Sequence, residues 1–220
     1  MKVKSKIIIA GDVHTYWSAF NRLLKIENPD IVLQCGDFGY WPNLFPFDVE
    51  RHNSTIYFCD GNHEDHWSLR NLKDNEIRPN VFYMKRGSML KLPDGRNVLF
   101  MGGANSVDEP TRTIGINWFP EEIITNREIY ELPDEKIDIV ISHTCPNEFF
   151  NSFVKKLRFT GYDDNDPSRK ALSYILENYR PKLWYFAHFH LAATGMTKDC
   201  KWFALNKCAL KGWWKTLLKG

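Results

Sequence analysis

The stretch Ile31-Val32-Leu33-Gln34-Cys35-Gly36-Asp37-Phe38-Gly39 decides how this chain is read. Its apolar start reads as a buried strand. Gly36-Asp37-Phe38-Gly39 reads as a turn that delivers one carboxylate to the strand's C-terminal end. Asp after Gly is common in turns, so the stretch carries little weight alone. Its weight comes from four other apolar runs that end the same way. Ile7-Ile8-Ile9-Ala10 leads into Gly11-Asp12-Val13-His14, and Ile56-Tyr57-Phe58-Cys59 into Asp60-Gly61-Asn62-His63-Glu64. Ile139-Val140-Ile141 leads into Ser142-His143, and Leu183-Trp184-Tyr185-Phe186-Ala187 into His188-Phe189-His190. A lone His at a strand end is usually a hydrogen-bonded structural residue. Five strand ends presenting Asp, His and Asn together are instead a ligand set for hard or borderline divalent metals. The supply exceeds what one ion needs, which points to two ions bridged by Asp37.

The 220 residues are expected to form one domain spanning 1–220, with 43% hydrophobic content sufficient for a substantial core. A net charge of +2 gives no global basic field for nucleic acid, although a local groove stays open. No stretch approaches the ~20 apolar residues of a membrane span. The apolar run after Met1-Lys2-Val3-Lys4-Ser5-Lys6 is too short for a signal peptide and reads as a strand of the mature protein. Five Cys without paired spacing argue against a disulfide framework and for a cytoplasmic setting. Cys35 and Cys59 read as small buried hydrophobes.

Strands are expected at 3–10, 30–36, 54–59, 81–84, 89–92, 98–101, 137–141 and 183–187, with a last one at 202–205. Helical spacing covers 16–26 and 167–179, with shorter helices at 64–72 and 147–157 and a helix start at Pro120-Glu121-Glu122. Residues 40–53 and 162–166 read as loops, and Asp94-Gly95 as a hairpin turn. Trp213-Trp214 reads as a terminal packing anchor rather than a dimer contact. Strand and helix alternate at both ends of the chain, with hairpins between. That pattern predicts an α/β fold of two mixed sheets packed face to face with helices outside, its ligands gathered at the carboxyl ends of strands.

Asp12 and His14 have period-two spacing and can turn to one point. Asp37 offers two oxygens, one for each ion, which places the ions ~3.5–4 Å apart. Asn62 supplies a carbonyl oxygen, His143 and His188 supply imidazole nitrogens, and His190 returns to the first ion. Mixed N/O ligation without thiolate suits Mn, Fe, Zn or similar ions. Such a pair makes hydroxide available from a bridging water for in-line attack on phosphorus, and His63 is placed to protonate the leaving oxygen. His52 and His66 read as solvated or supporting residues. Arg112 reads as a surface residue in preference to a phosphate contact. Trp41 and Trp118 read as packing, and Lys155, Lys156 and Arg158 as a solvated helix face.

In order and spacing, Asp12-Val13-His14, Gly36-Asp37, Gly61-Asn62-His63-Glu64, Ser142-His143 and His188-Phe189-His190 resemble the calcineurin-like metallophosphoesterase superfamily, in its small bacterial or phage-type form. The resemblance runs from 11 to 190. It implies a four-layer α/β/β/α sandwich with a binuclear centre. Asp12, His14, Asp37 and His190 would bind one ion, and Asp37, Asn62, His143 and His188 the other. His63 would be the general acid. The implied cofactors are two divalent ions, Mn and/or Fe, with Zn, Ni or Mg as alternatives. Tyr40 and Trp41 stand where the phosphoprotein-phosphatase branch carries its second Asp and its phosphate-gripping Arg. His63 must therefore be oriented by another group, and Asp60, Glu64 and Asp65 are nearest in sequence. The expected activity is phosphoester hydrolysis, with a phosphatase favoured over a phosphodiesterase or nuclease because net charge suggests no basic groove. A non-catalytic scaffold is the competing class, but scaffolds of this kind lose ligands, and here the set is complete.

Overall fold

The computed structural model describes residues 5–44, 46–153, 157 and 165–220. The expected basic cluster at 155–158, most of the expected loop at 162–166 and the end of the helix expected at 147–157 lie outside these residues.

Among the described residues, twelve strands form two six-stranded sheets. The first is built on β1 (Ile7–Ala10), β2 (Ile31–Gln34), β3 (Thr55–Phe58) and β5 (Val81–Tyr83), all parallel. Its antiparallel edges are β12 (Trp214–Leu218) and β4 (Glu76–Arg78). The second is built on β7 (Asn97–Met101), β8 (Ile139–Ser142), β9 (Leu183–Phe186) and β11 (Cys200–Ala204), again parallel. Its antiparallel edges are β6 (Met89–Lys91) and β10 (Ala193–Thr197).

The near-continuous apolar runs follow from burial on both faces. Alternate residues of β1 divide between two cores. Ile7 and Ile9 face the second sheet and join Leu33, Phe100, Ile139 and Ile141 between the sheets. Ile8 and Ala10 face outward and pack with Phe20 and Leu24 of α1 (Trp17–Glu27). On the far side, Val140, Trp184 and Phe186 pack against α4 (Asn147–Phe153) and α5 (Pro167–Tyr179) through Phe149, Phe153, Leu172 and Ile175. The result is the expected four-layer α/β/β/α sandwich of two mixed sheets.

Four elements depart from expectation. Strand β4, at the edge of the first sheet, lies where no strand was expected. The Trp213-Trp214 tail leads into a strand, β12, paired with β1, so the strand at 200–204 is not the last. Strand β10 was not expected, because its half-exposed Ala-Thr-Gly-Met-Thr has no apolar run. Its turn to β11 has φ of 48° at Lys198 and 61° at Asp199, a conformation usually signalled by Asn-Gly. Pro120–Glu122 makes only one 3-10 turn, and the helix begins later, at Asn126, behind a Thr125/Glu128 capping box. Glu122, the last residue of the 3-10 turn, is fully buried.

Candidate metal centre

Every predicted ligand leaves the carboxyl end of a parallel strand. Asp12 and His14 follow β1, Asp37 follows β2, Asn62 follows β3, His143 follows β8, and His188 and His190 follow β9. Both sheets therefore contribute. Extended strands would carry these side chains apart, and the backbone turns back at once. His14, Asp37, His188 and His190 have left-handed φ of 47°, 52°, 65° and 48°. Such a conformation costs an L-residue roughly 1–2 kcal/mol, and four of the seven predicted ligands adopt it. The loops are tied together where they bend: Val13 and His14 donate their backbone N–H groups to the carbonyl of Asp37, at 2.9 and 2.8 Å.

Asp37 lies at the centre. Its Oδ1 accepts from the backbone N–H groups of Asn62 (2.9 Å) and His63 (2.8 Å). Its Oδ2 lies 3.3 Å from His14 Nε2 and 3.3 Å from His143 Nε2. Oδ1 thus accepts from the main chain, and it is Oδ2 that faces both imidazoles. On one side, His190 Nε2 is 3.2 Å from Asp12 Oδ2 and 3.0 Å from His14 Nε2. On the other, Asn62 Oδ1 is 3.0 Å from His143 Nε2 and 3.1 Å from His188 Nδ1. His143 Nδ1 is 2.8 Å from the Cys35 carbonyl, which can only accept, so Nδ1 carries a proton and Nε2 is turned to the centre.

The chemistry of this set fits divalent metal. Three groups of carboxylate and imidazole atoms, drawn from Asp12, His14, Asp37, His63, His143 and His190, each lie within 4.8 Å of one another. Asp12 Oδ2 is buried and has no hydrogen-bond partner among the described residues, the mark of an oxygen waiting for a cation. Burial lowers the pKa of His14 and takes His188 well below its ordinary value, keeping both imidazoles neutral, as ligation requires. Burial would raise Asp37, but His143, His63 and His14 outweigh it and hold the carboxyl well below the usual range. Burial also opposes charge on His143, yet Asp37 and Asp12 push its pKa up to about 10, so a metal ion bound at its Nε2 would have to displace a proton.

The profile of the family described as Calcineurin-like phosphoesterase matches residues 5–192. The chain belongs to the calcineurin-like phosphoesterase family. It is similar to the lariat debranching enzyme of Gallus gallus, at 23% identity over 92% of this chain and 48% of that protein. It is likewise similar to the lariat debranching enzyme of Homo sapiens, at 25% identity over 81% of this chain and 42% of that protein. The chain thus spans about half the length of the curated relatives it matches. Among solved structures, a Thermus thermophilus protein superposes with TM-score 0.55 at 12% identity, covering 94% of this chain and 91% of that one. A phosphopantetheinyl hydrolase from Mycobacterium tuberculosis gives 0.54 at 10% identity, covering 100% and 98%. At these identities the superpositions speak to the fold alone.

A cleft of about 770 Å³ opens over these residues. Asp37, Asn62, His63, His188 and His190 line it together with Val107, Asp108 and Arg112, and Phe189, Leu191 and Leu210 contribute apolar surface. The expectation of Arg112 as a surface residue is corrected. Its side chain is only 5% exposed and pairs with Asp108 Oδ1 at 2.8 Å. Its Nη1 donates to the Asn62 carbonyl at 2.9 Å, and its Nη2 lies 2.9 Å from His63 Nε2. Arg112 orients His63, and none of the three acids near in sequence does. Asp60 is engaged by Arg86 and the Tyr83 hydroxyl, and Asp65 caps the helix at Ser68. Glu64 accepts from Gly39 N and Gly61 N, joining the Asp37 loop to the Asn62 loop, with burial and Asp37 raising its pKa to about 8. His66 is buried, not solvated, and its Nδ1 lies 3.8 Å from Asp60. Trp41 is buried with its ring centroid 6.2 Å from that of Phe119, a packing role. Two supporting residues had no assignment from sequence: Ser106, which accepts from Asn62 Nδ2 at 3.0 Å, and Glu122, which accepts from Ser106 N at 2.7 Å.

Proposed function

We propose that this chain hydrolyses phosphate diesters with a pair of divalent ions, both of which Asp37 would help to hold. The observation that carries the reading is that one buried oxygen lies between two sets of donors, 3.3 Å from an imidazole nitrogen of each. Asp12, His14 and His190 would hold one ion with Asp37, and Asn62, His143 and His188 the other. An ion pair held there supplies Lewis acidity, both to acidify the attacking water and to neutralise charge on the phosphoryl oxygens. The absence of a thiolate from the donor set supports Mn or Fe, with Zn, Ni and Mg as alternatives. The five cysteines are free and buried, which supports a reducing, cytoplasmic setting.

His63 protonates the leaving oxygen. Arginine can only donate, so its contact with Arg112 makes Nε2 the accepting nitrogen before substrate arrives. A phosphate oxygen is the stronger partner for a guanidinium. Substrate would draw Arg112 to itself, and Nε2, now facing an anionic phosphate instead of a donor, would take up a proton from solvent and pass it to the leaving oxygen. The expected preference for monoesters rested on net charge. The cleft supports the opposite choice: Arg112 is the one cationic side chain among its described lining residues, and Asp108 already offsets it. A singly charged diester needs less compensation than a doubly charged monoester. The debranching of a lariat by the named relatives is in keeping with an ester bearing groups on both sides.

The test is turnover of p-nitrophenyl phosphate and its bis ester by Mn-loaded protein. The bis ester is expected to be the better substrate, and His63→Ala is expected to lower its turnover ~10²–10⁴-fold. Activity that survives excess chelator, or no turnover of either ester with any of the five metals, would overturn the reading.

A further inference from the structure

Asn62 differs from the other predicted ligands. A carboxylate or an imidazole offers a donor atom in more than one orientation, whereas a carboxamide ligates through oxygen and repels a cation through its NH₂ end. The two ends have nearly the same shape, so something must choose between them. The main chain does not. Asn62 N donates to Asp37 Oδ1 and Asn62 O accepts from Arg112, which fixes the backbone and leaves the side-chain torsion open.

The choice is made by the loop leaving β7. Asn62 Nδ2 donates to Ser106 Oγ at 3.0 Å, and Ser106 is 3% exposed, so water does not compete. A hydroxyl alone would accept either end of the amide, since it can donate as well as accept. Glu122 fixes where that hydroxyl lies. Its Oε1 accepts from Ser106 N at 2.7 Å, which pins the loop at Ser106. Held there, Oγ accepts from Asn62 Nδ2, while Asn62 Oδ1 is left facing His143 and His188. Glu122 is held in turn by Arg86, which donates to the carbonyls of Glu121 (2.8 Å), Glu122 (3.0 Å) and Ile123 (2.8 Å) while pairing with Asp60.

We propose that Ser106, set by Glu122, is the positioning residue that turns the Asn62 carboxamide so that its oxygen, and not its nitrogen, faces His143 and His188. The inference rests on the two-ion reading and assigns the second ion's affinity to a hydroxyl outside the ligand set. Loss of such a supporting contact typically costs ~10–100-fold in metal affinity.

The test is equilibrium Mn²⁺ binding by calorimetry, with bound metal counted after gel filtration. The wild-type chain, Ser106→Ala, Ser106→Thr, Asn62→Asp and the Asn62→Asp/Ser106→Ala double variant are compared. Wild type is expected to take up two ions. Ser106→Ala keeps the tighter ion and loses ~10–100-fold in affinity for the other, while Ser106→Thr, which retains the hydroxyl, stays close to wild type. In the Asn62→Asp background, Ser106→Ala costs nothing further, because either end of a carboxylate ligates. A merely structural role for Ser106 would lower affinity equally in both backgrounds, and that result overturns the proposal. So does unchanged binding of both ions by Ser106→Ala, or equal weakening of both. A wild-type chain that binds fewer than two ions overturns the two-ion reading itself, before any variant is compared.

Discussion

Gly61→Ala is a one-carbon change that places an atom against the central carboxylate. A Cβ at Gly61 would lie 2.8 Å from Asp37 Cγ, and nearer still to Oδ1 and to the Asp37 backbone nitrogen. Carbon atoms in contact normally keep about 3.5–4.0 Å, so Asp37 would have to retreat by about 1 Å. It has nowhere to go. Oδ1 is held by the N–H groups of Asn62 and His63, and Oδ2 is faced by His14 and His143 at 3.3 Å. A misplacement of about 1 Å in a reacting geometry costs ~10²-fold in rate. Overpacking costs ~1–3 kcal/mol, and each hydrogen bond to a charged group that is stretched adds up to ~1.5–3 kcal/mol. We expect Gly61→Ala to lower turnover of bis(p-nitrophenyl) phosphate at least ~10²-fold and to destabilise the metal-free chain by about 3 kcal/mol. In a chain of this size that is a fall of roughly 6–12 °C in melting temperature. Turnover in Mn-loaded protein and thermal unfolding of metal-free protein are the two assays. A variant with wild-type turnover and midpoint would refute the placement of Asp37 at the centre.

Three further outcomes are expected. Removal of metal by chelator should lower the melting temperature as well as activity, since an ion present at about 100 times its Kd contributes ~2.7 kcal/mol to the folded state; scanning calorimetry before and after dialysis checks this. Arg112→Ala should lower kcat/KM for the bis ester ~10–100-fold through loss of a charged hydrogen bond, and Arg112→Lys should restore only part of it, because an ammonium cannot reach His63 and phosphate with a planar fork. Burial lowers the pKa of His66 to about 4 against an ordinary 6.5, so the unfolded chain binds its proton first as pH falls. The stability that this group contributes is complete above pH 6.5 and is lost toward pH 4, by at most ~1.4 kcal/mol per pH unit, and His66→Leu should flatten that part of the denaturant-midpoint profile in metal-free protein.

The centre was legible in the sequence because its chemistry is local. Each predicted ligand lies within four residues of the end of an apolar run, and a strand end is the one place where period-two burial stops and side chains become free to converge. Helix α5 was legible for a similar reason: Leu172, Ile175 and Leu176 mark one face, and Pro167 marks its start. What was hidden depends on contacts distant in sequence. Arg112 reaches His63 across 49 positions, from a segment with no periodicity to place it. Ser106 meets Asn62 across 44 positions, and Ser is as common in a plain loop as beside a ligand. The division of labour between the two oxygens of Asp37 was hidden for another reason. It depends on the backbone N–H groups of Asn62 and His63, and every non-proline residue carries one.

The two sheets share the work unequally, and this has a consequence for how the centre is held. Asp12, His14, Asp37 and Asn62 come from the first sheet, and His143, His188 and His190 from the second. Each proposed ion would therefore take ligands from both. Left-handed residues on both sides of the seam would relax if released, which favours loops that open. Opposing this are direct ties across the seam: His143 Nδ1 to the Cys35 carbonyl at 2.8 Å, and His188 N to Asp12 Oδ1 at 3.1 Å. Behind them lies a dry layer in which Ile9, Leu33, Phe100 and Ile141 are fully buried between the sheets. A close-packed layer of this kind does not slide by fractions of an ångström without opening a void. The ligand positions are thus set by aliphatic packing several residues away, and the strain at the strand ends is maintained by a core that takes no part in the chemistry.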